Sequence, residues 1–487
     1  MNVNKFKKKR LYIYYMYKTA MKEKTAPNSE FSLTLLDQKL TFDEIIEKLG
    51  INRFNLRVYL FIALFFIADG SEMVVLSLLI TKLTSIWNLT SFESSLGSLI
   101  FIGFALGSLC SGFISDRKGR RPAYLLGSII VLIFAAGSSL AQGFYSFIGL
   151  RIICGFGICL AIPALFALAT ELTPSDSRSA ALNNVWAFFP TGSAVVVIMT
   201  KYCIDLEDGW RYILLFASFP CTILFAFAYK VPESPRFHMS NGQYEKAFEE
   251  LDKIIEFTGK KDQINITEQV KQDLINEAEL VNLNLQKADY RMLIAPDYRR
   301  LTFLINCIYF LVSWNYYGAT YILPQIFAKE HQNNEGNVGD VYNSLLVGCI
   351  MEIPSCLLAG YLANHRYLLR VRTMILGFSI NGIAALFVMF IPFGMAFWAA
   401  IFKCSVAISF NVIYVYACEA YPTKIRSMGV GLGNFCTRFA AILTPFLCQI
   451  LFDYYEKIPF ILFFGGAMLG VFFCLSLPFE TYHKALK

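Results

Sequence analysis

The sequence predicts an all-α integral membrane protein with twelve transmembrane helices in two pseudo-symmetric six-helix bundles. Three observations carry that expectation. Hydrophobic residues make up 56% of the 487 and charged ones 16%, well under the ~25% charged content of soluble chains. Twelve apolar spans can be counted, near 57–80, 94–115, 122–141, 146–170, 180–203, 211–231, 299–327, 339–362, 371–391, 395–418, 427–452 and 458–478. Each is close to the ~20 residues that cross ~30 Å of hydrocarbon. Finally, the two halves repeat. ELTPSDSR begins at Glu171 and EAYPTKIR at Glu419, an offset of 248 residues (419 less 171). The same offset carries Gly112 and Asp116 to Gly360 and Asn364, and Gly70 to Gly318. One offset serving three helix regions is the mark of parallel repeats related by an axis along the membrane normal.

Taken in order, residues 1–56 read as a cytoplasmic tail. It opens with Lys5, Lys7, Lys8, Lys9 and Arg10, followed by LYIYYMY. A targeting sequence is the alternative, but the apolar part is short and tyrosine-rich and no clear small-residue cleavage site follows. Residues 37–56 have the spacing of a short amphipathic helix ending near Gly50. Spans one to six fill an N-terminal bundle, 57–237, and spans seven to twelve a C-terminal bundle, 299–481. Between them, 238–298 form a cytoplasmic loop in which QYEKAFEELDKIIEF predicts an interfacial or cytoplasmic helix. Residues 482–487 close the chain as a cytoplasmic tail. Short-loop cations set the orientation: Arg117–Arg121, Arg178, Arg366, Arg370, Arg372, Lys424 and Arg426 fall on one side, whereas Lys201 is answered by Asp205, Glu207 and Asp208. Both termini are therefore expected in the cytoplasm. The sequon at Asn265 then lies on the wrong side for glycosylation, and that at Asn88 sits very close to the membrane.

Several function classes fall away. The net charge of +7 is spread in short clusters between apolar runs, which positive-inside topology explains better than nucleic-acid binding. Thirteen cysteines are scattered without paired CxxC spacing, and the four histidines show no ligand spacing, so no metal, cofactor or catalytic constellation is expected.

The hairpin turn GSLCSGFISDRKGRRP, 107–122, joins two apolar helices through Asp116, Arg117, Lys118, Gly119, Arg120 and Arg121. Gly103, Gly107 and Gly112 precede or enter it, and small residues of this kind let helix backbones approach closely in lipid. Together with Glu171, Arg178, Glu419 and Arg426, the turn's charges are candidates for a gate of ion pairs at the cytoplasmic ends, and Arg151, near the start of the fourth span, is a further gate or conformational candidate. Static salt bridging is the alternative.

Ionisable groups inside apolar spans are functional candidates by default. Asp69 and Glu72 lie three apart on one face of the first span and are candidates for carrying a coupling proton. The alternative is a structural pair neutralised by a cation on another helix. Arg438 in the eleventh span has no acid beside it in sequence. It either supplies a fixed charge for an anionic solute or is the partner of Asp69 or Glu72. Lys403 and Glu352 are weaker candidates that can pair with each other. Trp314, Tyr316 and Tyr317 form an aromatic stretch in span seven suited to stacking on a planar solute or simply to packing.

ADGSEM (68–73), SDRKGRR (115–121), PESPRF (232–237), NYYGATYILPQIF (315–327), EAYPTKIRSMGVG (419–431) and LPFET (477–481) together resemble the major facilitator superfamily over nearly the whole chain. Within it they are similar to the branch of synaptic-vesicle-two-related proteins, niacin permeases and organic ion transporters. The resemblance departs from animal organic ion transporters, whose large ectodomain between the first two spans is replaced here by about a dozen residues. It departs from sugar porters too, whose glutamine pair in span seven is replaced by Ser313-Trp314-Asn315. In the organic ion branch, an arginine in the eleventh span goes with anion carriers, and Arg438 matches it.

The resemblance implies a secondary transporter of a small organic solute, most of all an organic anion, proton-coupled and working by alternating access. A sugar or organic cation carrier, or a non-transporting sensor or vesicle protein on the same fold, are the alternatives. It implies no enzyme activity and no cofactor. The expected partners are the solute, protons and the bilayer, with no nucleic acid. The expected setting is a monomer in the plasma membrane or an intracellular vesicle membrane.

Overall fold

A computed structural model of the chain describes residues 42–90, 99–174, 184–227, 231, 233–259, 266–284, 291–333, 338–391, 394–421 and 425–481. The expected N-terminal basic tail lies outside them, as does Asn265. Among the described residues the regular structure is helical, in the order α1 (Phe42–Leu49), α2 (Arg53–Trp87), α3 (Ile100–Lys118), α4 (Arg120–Ser138), α5 (Phe144–Leu172), α6 (Phe188–Cys203) and α7 (Gly209–Phe227). Short helices α8 (Pro235–Ser240), α9 (Tyr244–Thr258), α10 (Glu268–Asn284) and α11 (Arg291–Ile294) follow. Then come α12 (Arg299–Asn333), α13 (Val338–Asn364), α14 (Leu369–Phe390), α15 (Met395–Ala420), α16 (Arg426–Tyr454) and α17 (Pro459–Leu475). The helices α2–α7 and α12–α17 occupy the twelve apolar spans.

Local chemistry explains the boundaries. Gly50, at φ 59°, ends α1. Asn52 then caps α2, its Oδ1 accepting from the amides of Phe54 at 2.9 Å and Asn55 at 3.1 Å, so two of the orphan N–H groups of the helix start are satisfied. Eight of the membrane helices among the described residues are long and apolar enough to cross a bilayer unaided, and Ile100–Gly112 and Pro459–Leu475 are shorter apolar helices. Helix α12 is long but diluted by Asn306, Ser313, Asn315 and Thr320, polar groups suited to an interior position rather than to lipid.

Packing divides the twelve into two groups of six. In the first, α5 lies against α3 and α4, while α2 lies against α6 and α7; in the second, α15 lies against α13 and α14, while α12 lies against α16 and α17. The groups meet through α6 with α13, α3 with α16, and α2 with α12. Leu109, Ile133, Phe219, Phe303, Ile450 and Phe472 are exposed, as lipid-facing side chains of a multi-pass membrane protein must be.

Between helices in lipid there is little hydrophobic driving force, so close backbone packing carries the association. Gly103 and Gly107 show it: a Cβ would stand 1.9 Å from the Ile152 carbonyl oxygen and 2.2 Å from that of Phe156, both on α5. At Gly112 nothing lies within 4 Å, so the third glycine of the expected stripe does not serve this contact.

Outside the bundles, α9 takes up most of the amphipathic segment read from the sequence, burying Ala247, Phe248, Leu251, Ile254 and Ile255. It docks on the start of α2, where Phe257 packs edge-on to Phe54 at 6.2 Å and lies 3.9 Å beneath the Arg57 guanidinium. Helix α1 buries Ile45, Ile46 and Leu49, and the Phe42 amide donates to Glu277 of α10 at 3.4 Å.

Candidate functional site: a cleft between the bundles and a pair of terminal locks

Two groups of charges stand out, one midway along the helices and one at the end that carries the α3–α4 and α13–α14 turns. The first stands around a narrow cleft between the two groups of helices, lined by Glu72, Ser77, Phe101, Phe189, Tyr316 and Tyr317 among others. Adjacent tyrosines of α12 form its second wall. Their rings stand 5.4 Å apart at 90°; Tyr317 meets Phe101 of α3 at 5.0 Å and Tyr316 meets Phe189 of α6 at 6.3 Å. Aromatic rings from both halves thus face one another across the cleft.

Arg438 of α16 is 9% exposed. Its Nη1 donates to the Tyr317 hydroxyl at 3.0 Å, and its guanidinium lies 4.9 Å from the Phe104 ring. It makes no ion pair with a carboxylate among the described residues. Asp69 stands within its electrostatic reach but not at ion-pair distance, and the Oδ1 of Asp69 is buried without a hydrogen-bond partner among the described residues.

Glu72, three residues on, has a different fate. It forms an ion pair with Arg151 of α5, whose Nη2 also donates to the Glu72 carbonyl at 3.0 Å; both side chains are within 1% of full burial. The sequence places Arg151 near the start of its span, about 30 Å along the same helix from Glu171, and there it pairs with Glu72 rather than with the charges of the turn end.

A second buried ion pair sits in the other half. Lys403 of α15 lies 3.2 Å from Glu352 of α13, and Glu352 accepts from the Tyr316 hydroxyl at 2.7 Å. Trp314 does not join the cleft. It stacks on Phe310 at 6.0 Å within the core of the second bundle. Neighbouring Asn315 is likewise turned inward, donating to Asn381 at 2.7 Å, which donates to the Phe402 carbonyl.

At the turn end, each half builds the same cluster of paired charges. In the first half Arg120 Nη2 pairs with Glu171 at 3.0 Å, and Nη1 donates to the Ser115 carbonyl at 2.9 Å. Glu233 accepts from the amides of Arg120 at 3.0 Å and Arg121 at 2.9 Å, holding the start of α4. In the second half Arg370 grips Glu419 with two bonds, 2.9 and 3.2 Å, and reaches Asn364 at 2.7 Å. Glu480 accepts from the amides of Arg370 at 3.0 Å and Val371 at 2.9 Å. A carboxylate on the first amides of a helix satisfies orphan donors and complements the helix dipole.

Glu171 and Glu419 were thus found from sequence, but the partners seen here are Arg120 and Arg370. Arg178 lies outside the described residues, as do the side chains of Asp116 and Arg426; Arg117 is exposed. Gly119 supplies the turn before Arg120 at φ 110°, where a Cβ would stand 2.2 Å from Glu233 Oε2. Sequence reasoning missed Glu233, Glu480 and the pairing of Arg370 with Glu419. Their signal was the matching acid-hydroxyl pair in PES and FET, Glu233-Ser234 and Glu480-Thr481, each just after the last helix of its half.

Comparison with known proteins agrees with this geometry. The family model of the Major Facilitator Superfamily matches residues 60–445. The chain is 27% identical to svop-1 of Caenorhabditis elegans over 91% of its own length and 86% of that protein's. It is 26% identical to the synaptic vesicle 2-related protein of Rattus norvegicus, covering 93% and 83% of the two chains. Identity is also 26% to organic cation/carnitine transporter 7 of Arabidopsis thaliana, over 92% and 96%. Among solved structures, the proton:xylose symporter XylE bound to 6-bromo-6-deoxy-D-glucose superposes with a TM-score of 0.70 at 18% identity, covering 89% and 98% of the two chains. With two facing six-helix groups, a cleft between them and a family model spanning most of both, the chain belongs to the Major Facilitator Superfamily.

Proposed function

We propose that the protein is a proton-coupled carrier of a small organic anion, an aromatic carboxylate in chemical class, working by alternating access with both termini in the cytoplasm. One observation carries the reading. Arg438 is a buried cation directly behind the cleft residue Tyr317, to whose hydroxyl it donates, and no carboxylate of the described residues stands at ion-pair distance from it. An uncompensated buried cation is costly, and a carboxylate solute that takes a bidentate grip on its planar fork relieves that cost. Aromatic walls from Phe101, Phe189, Tyr316 and Tyr317 suit a flat ring.

Asp69 is the coupling carboxyl in this scheme. Glu72 has Arg151 as its counter-charge, whereas Asp69 has a buried oxygen without a partner and the field of Arg438 beside it. Proton uptake by Asp69 and solute binding at Arg438 then bias the same pair of charges. One proton moved through 100 mV supplies about 2.3 kcal/mol, roughly a fifty-fold accumulation. The turn-end locks of Arg120–Glu171 and Arg370–Glu419 hold the cytoplasmic side shut and break when it opens.

A second reading is a cationic or zwitterionic solute, with Asp69 as the counter-charge to an ammonium and the aromatic rings around it. The unpaired Asp69 oxygen favours it, and the Arabidopsis relative's name points to that class. Hexose transport draws less support, because Asn315 is spent inside the second bundle.

Uptake of nicotinate, a second aromatic carboxylate, an organic cation and a hexose into proteoliposomes, with and without an inward proton gradient, separates these readings. Carboxylate uptake that rises with the gradient is expected. Arg438→Ala should abolish it with protein still in the membrane, and Asp69→Asn should lose the gradient response while keeping solute exchange. Cation uptake without carboxylate uptake overturns the anion reading.

A further inference from the structure

The two cleft tyrosines are tied to buried charges in opposite senses. A carboxylate can only accept, so the Tyr316 hydroxyl spends its hydrogen on Glu352 at 2.7 Å and keeps only lone pairs. A guanidinium can only donate, so the Tyr317 oxygen accepts from Arg438 at 3.0 Å and keeps its own hydrogen, which has no acceptor among the described residues. Both side chains line the same cleft. Lys403, 3.2 Å from Glu352, supplies the counter-charge of that buried carboxylate.

We propose that the Lys403–Glu352–Tyr316 chain sets the hydrogen-bond polarity of the cleft, with Tyr316 as an acceptor beside Tyr317 as a donor. The preferred solute then carries a hydroxyl or N–H donor on its ring in addition to the carboxylate. This rests on the anion reading and narrows it from aromatic carboxylates to hydroxylated or N–H-bearing ones. Glu352 and Lys403 act through Tyr316 and are positioning residues. They touch no solute themselves.

The chain makes a specific kind of failure. In Glu352→Gln an amide N–H can donate to the Tyr316 oxygen, which frees the tyrosine hydrogen and turns its acceptor into a donor. Lys403→Met leaves Glu352 buried without its counter-charge and loosens its hold on the Tyr316 hydroxyl. Tyr316→Phe removes the acceptor and leaves the Glu352–Lys403 pair in place.

Competition by 3- and 4-hydroxybenzoate and by the matching methoxybenzoates against labelled carboxylate uptake tests this in proteoliposomes. The wild type should prefer a hydroxylated member by about tenfold in KM, the worth of one hydrogen bond. Glu352→Gln, Lys403→Met and Tyr316→Phe should each erase the preference by raising KM for the hydroxylated solute more than for the methoxy analogue, and in the two positioning variants kcat for the methoxy analogue is held. The double variant Glu352→Gln/Lys403→Met should be no more impaired in this ratio than Glu352→Gln. A wild type without preference overturns the proposal and leaves the anion reading standing. So does a preference that survives in Tyr316→Phe, or variants that lower kcat for every solute together at an unchanged ratio. Failure of every carboxylate to enter removes both readings.

Discussion

The two halves of the molecule are alike at one end and unlike in the middle. At the turn end, Arg120, Glu171 and Glu233 have their counterparts in Arg370, Glu419 and Glu480, down to the backbone amides that the last acid receives. Midway, the first half offers two carboxylates and one cation, Asp69, Glu72 and Arg151, whereas the second offers two cations and one carboxylate, Arg438, Lys403 and Glu352. Duplicated locks suit a motion that both halves make together. In the proposed carrier, the unmatched charges suit a step that only one solute and one coupling ion perform. Symmetry therefore goes with movement here, and asymmetry with choice.

The largest effect expected from testing this contrast comes from the Glu72–Arg151 pair, because both members are buried. Removing one partner strands a charge in low dielectric and costs about 3–5 kcal/mol, whereas removing both costs little. Arg151→Met should therefore sharply reduce the folded protein recovered from membranes, and Glu72→Gln/Arg151→Met should recover most of it. Thermal melting of detergent-purified variants measures the difference. If the double variant is as unstable as the single one, the pair is not the origin of the loss.

Next come the locks. Arg120→Ala and Arg370→Ala each remove charge-assisted bonds worth about 1.5–3 kcal/mol, enough to shift the balance between open and closed turn ends by about ten- to a hundredfold. Cysteines introduced along the cleft should become more reactive from the turn-end side, to a similar degree in both variants. A large response in one half alone would break the equivalence.

Much of this architecture is legible in the chain because it depends on local pattern. Twelve apolar spans, the 248-residue offset and the basic hairpin need no knowledge of which helix meets which. The site is only half legible. Asp69 and Glu72 share a helix face in sequence, yet one is neutralised by Arg151 and the other is not, and that difference is made by α5 and α16, far away in the chain. Trp314 reads as part of the aromatic stretch with Tyr316 and Tyr317, but two residues along a helix turn it about 200° away from Tyr316 and into the bundle core. Glu233 and Glu480 show in the sequence only as the matching pairs of PES and FET and not as helix caps, since the amides they hold lie 112 and 109 or more residues away.

The smallest and sharpest contrast is in the turns themselves. Gly119 precedes Arg120 at φ 110°, and Leu369 precedes Arg370 at φ 57°. The first half thus uses glycine where the second holds a leucine in the left-handed region, a conformation that costs an L-residue about 1–2 kcal/mol. Gly119→Ala should be destabilising by at least that much, since its Cβ would also meet Glu233. Leu369→Gly should change melting little, because relief of backbone strain offsets the lost packing of a half-buried side chain. Leu369→Asn, which tolerates the left-handed region, gives the same relief by another route. A loss from Leu369→Gly as large as that from Gly119→Ala would mean that packing of the leucine, rather than the backbone it tolerates, holds the second turn in place.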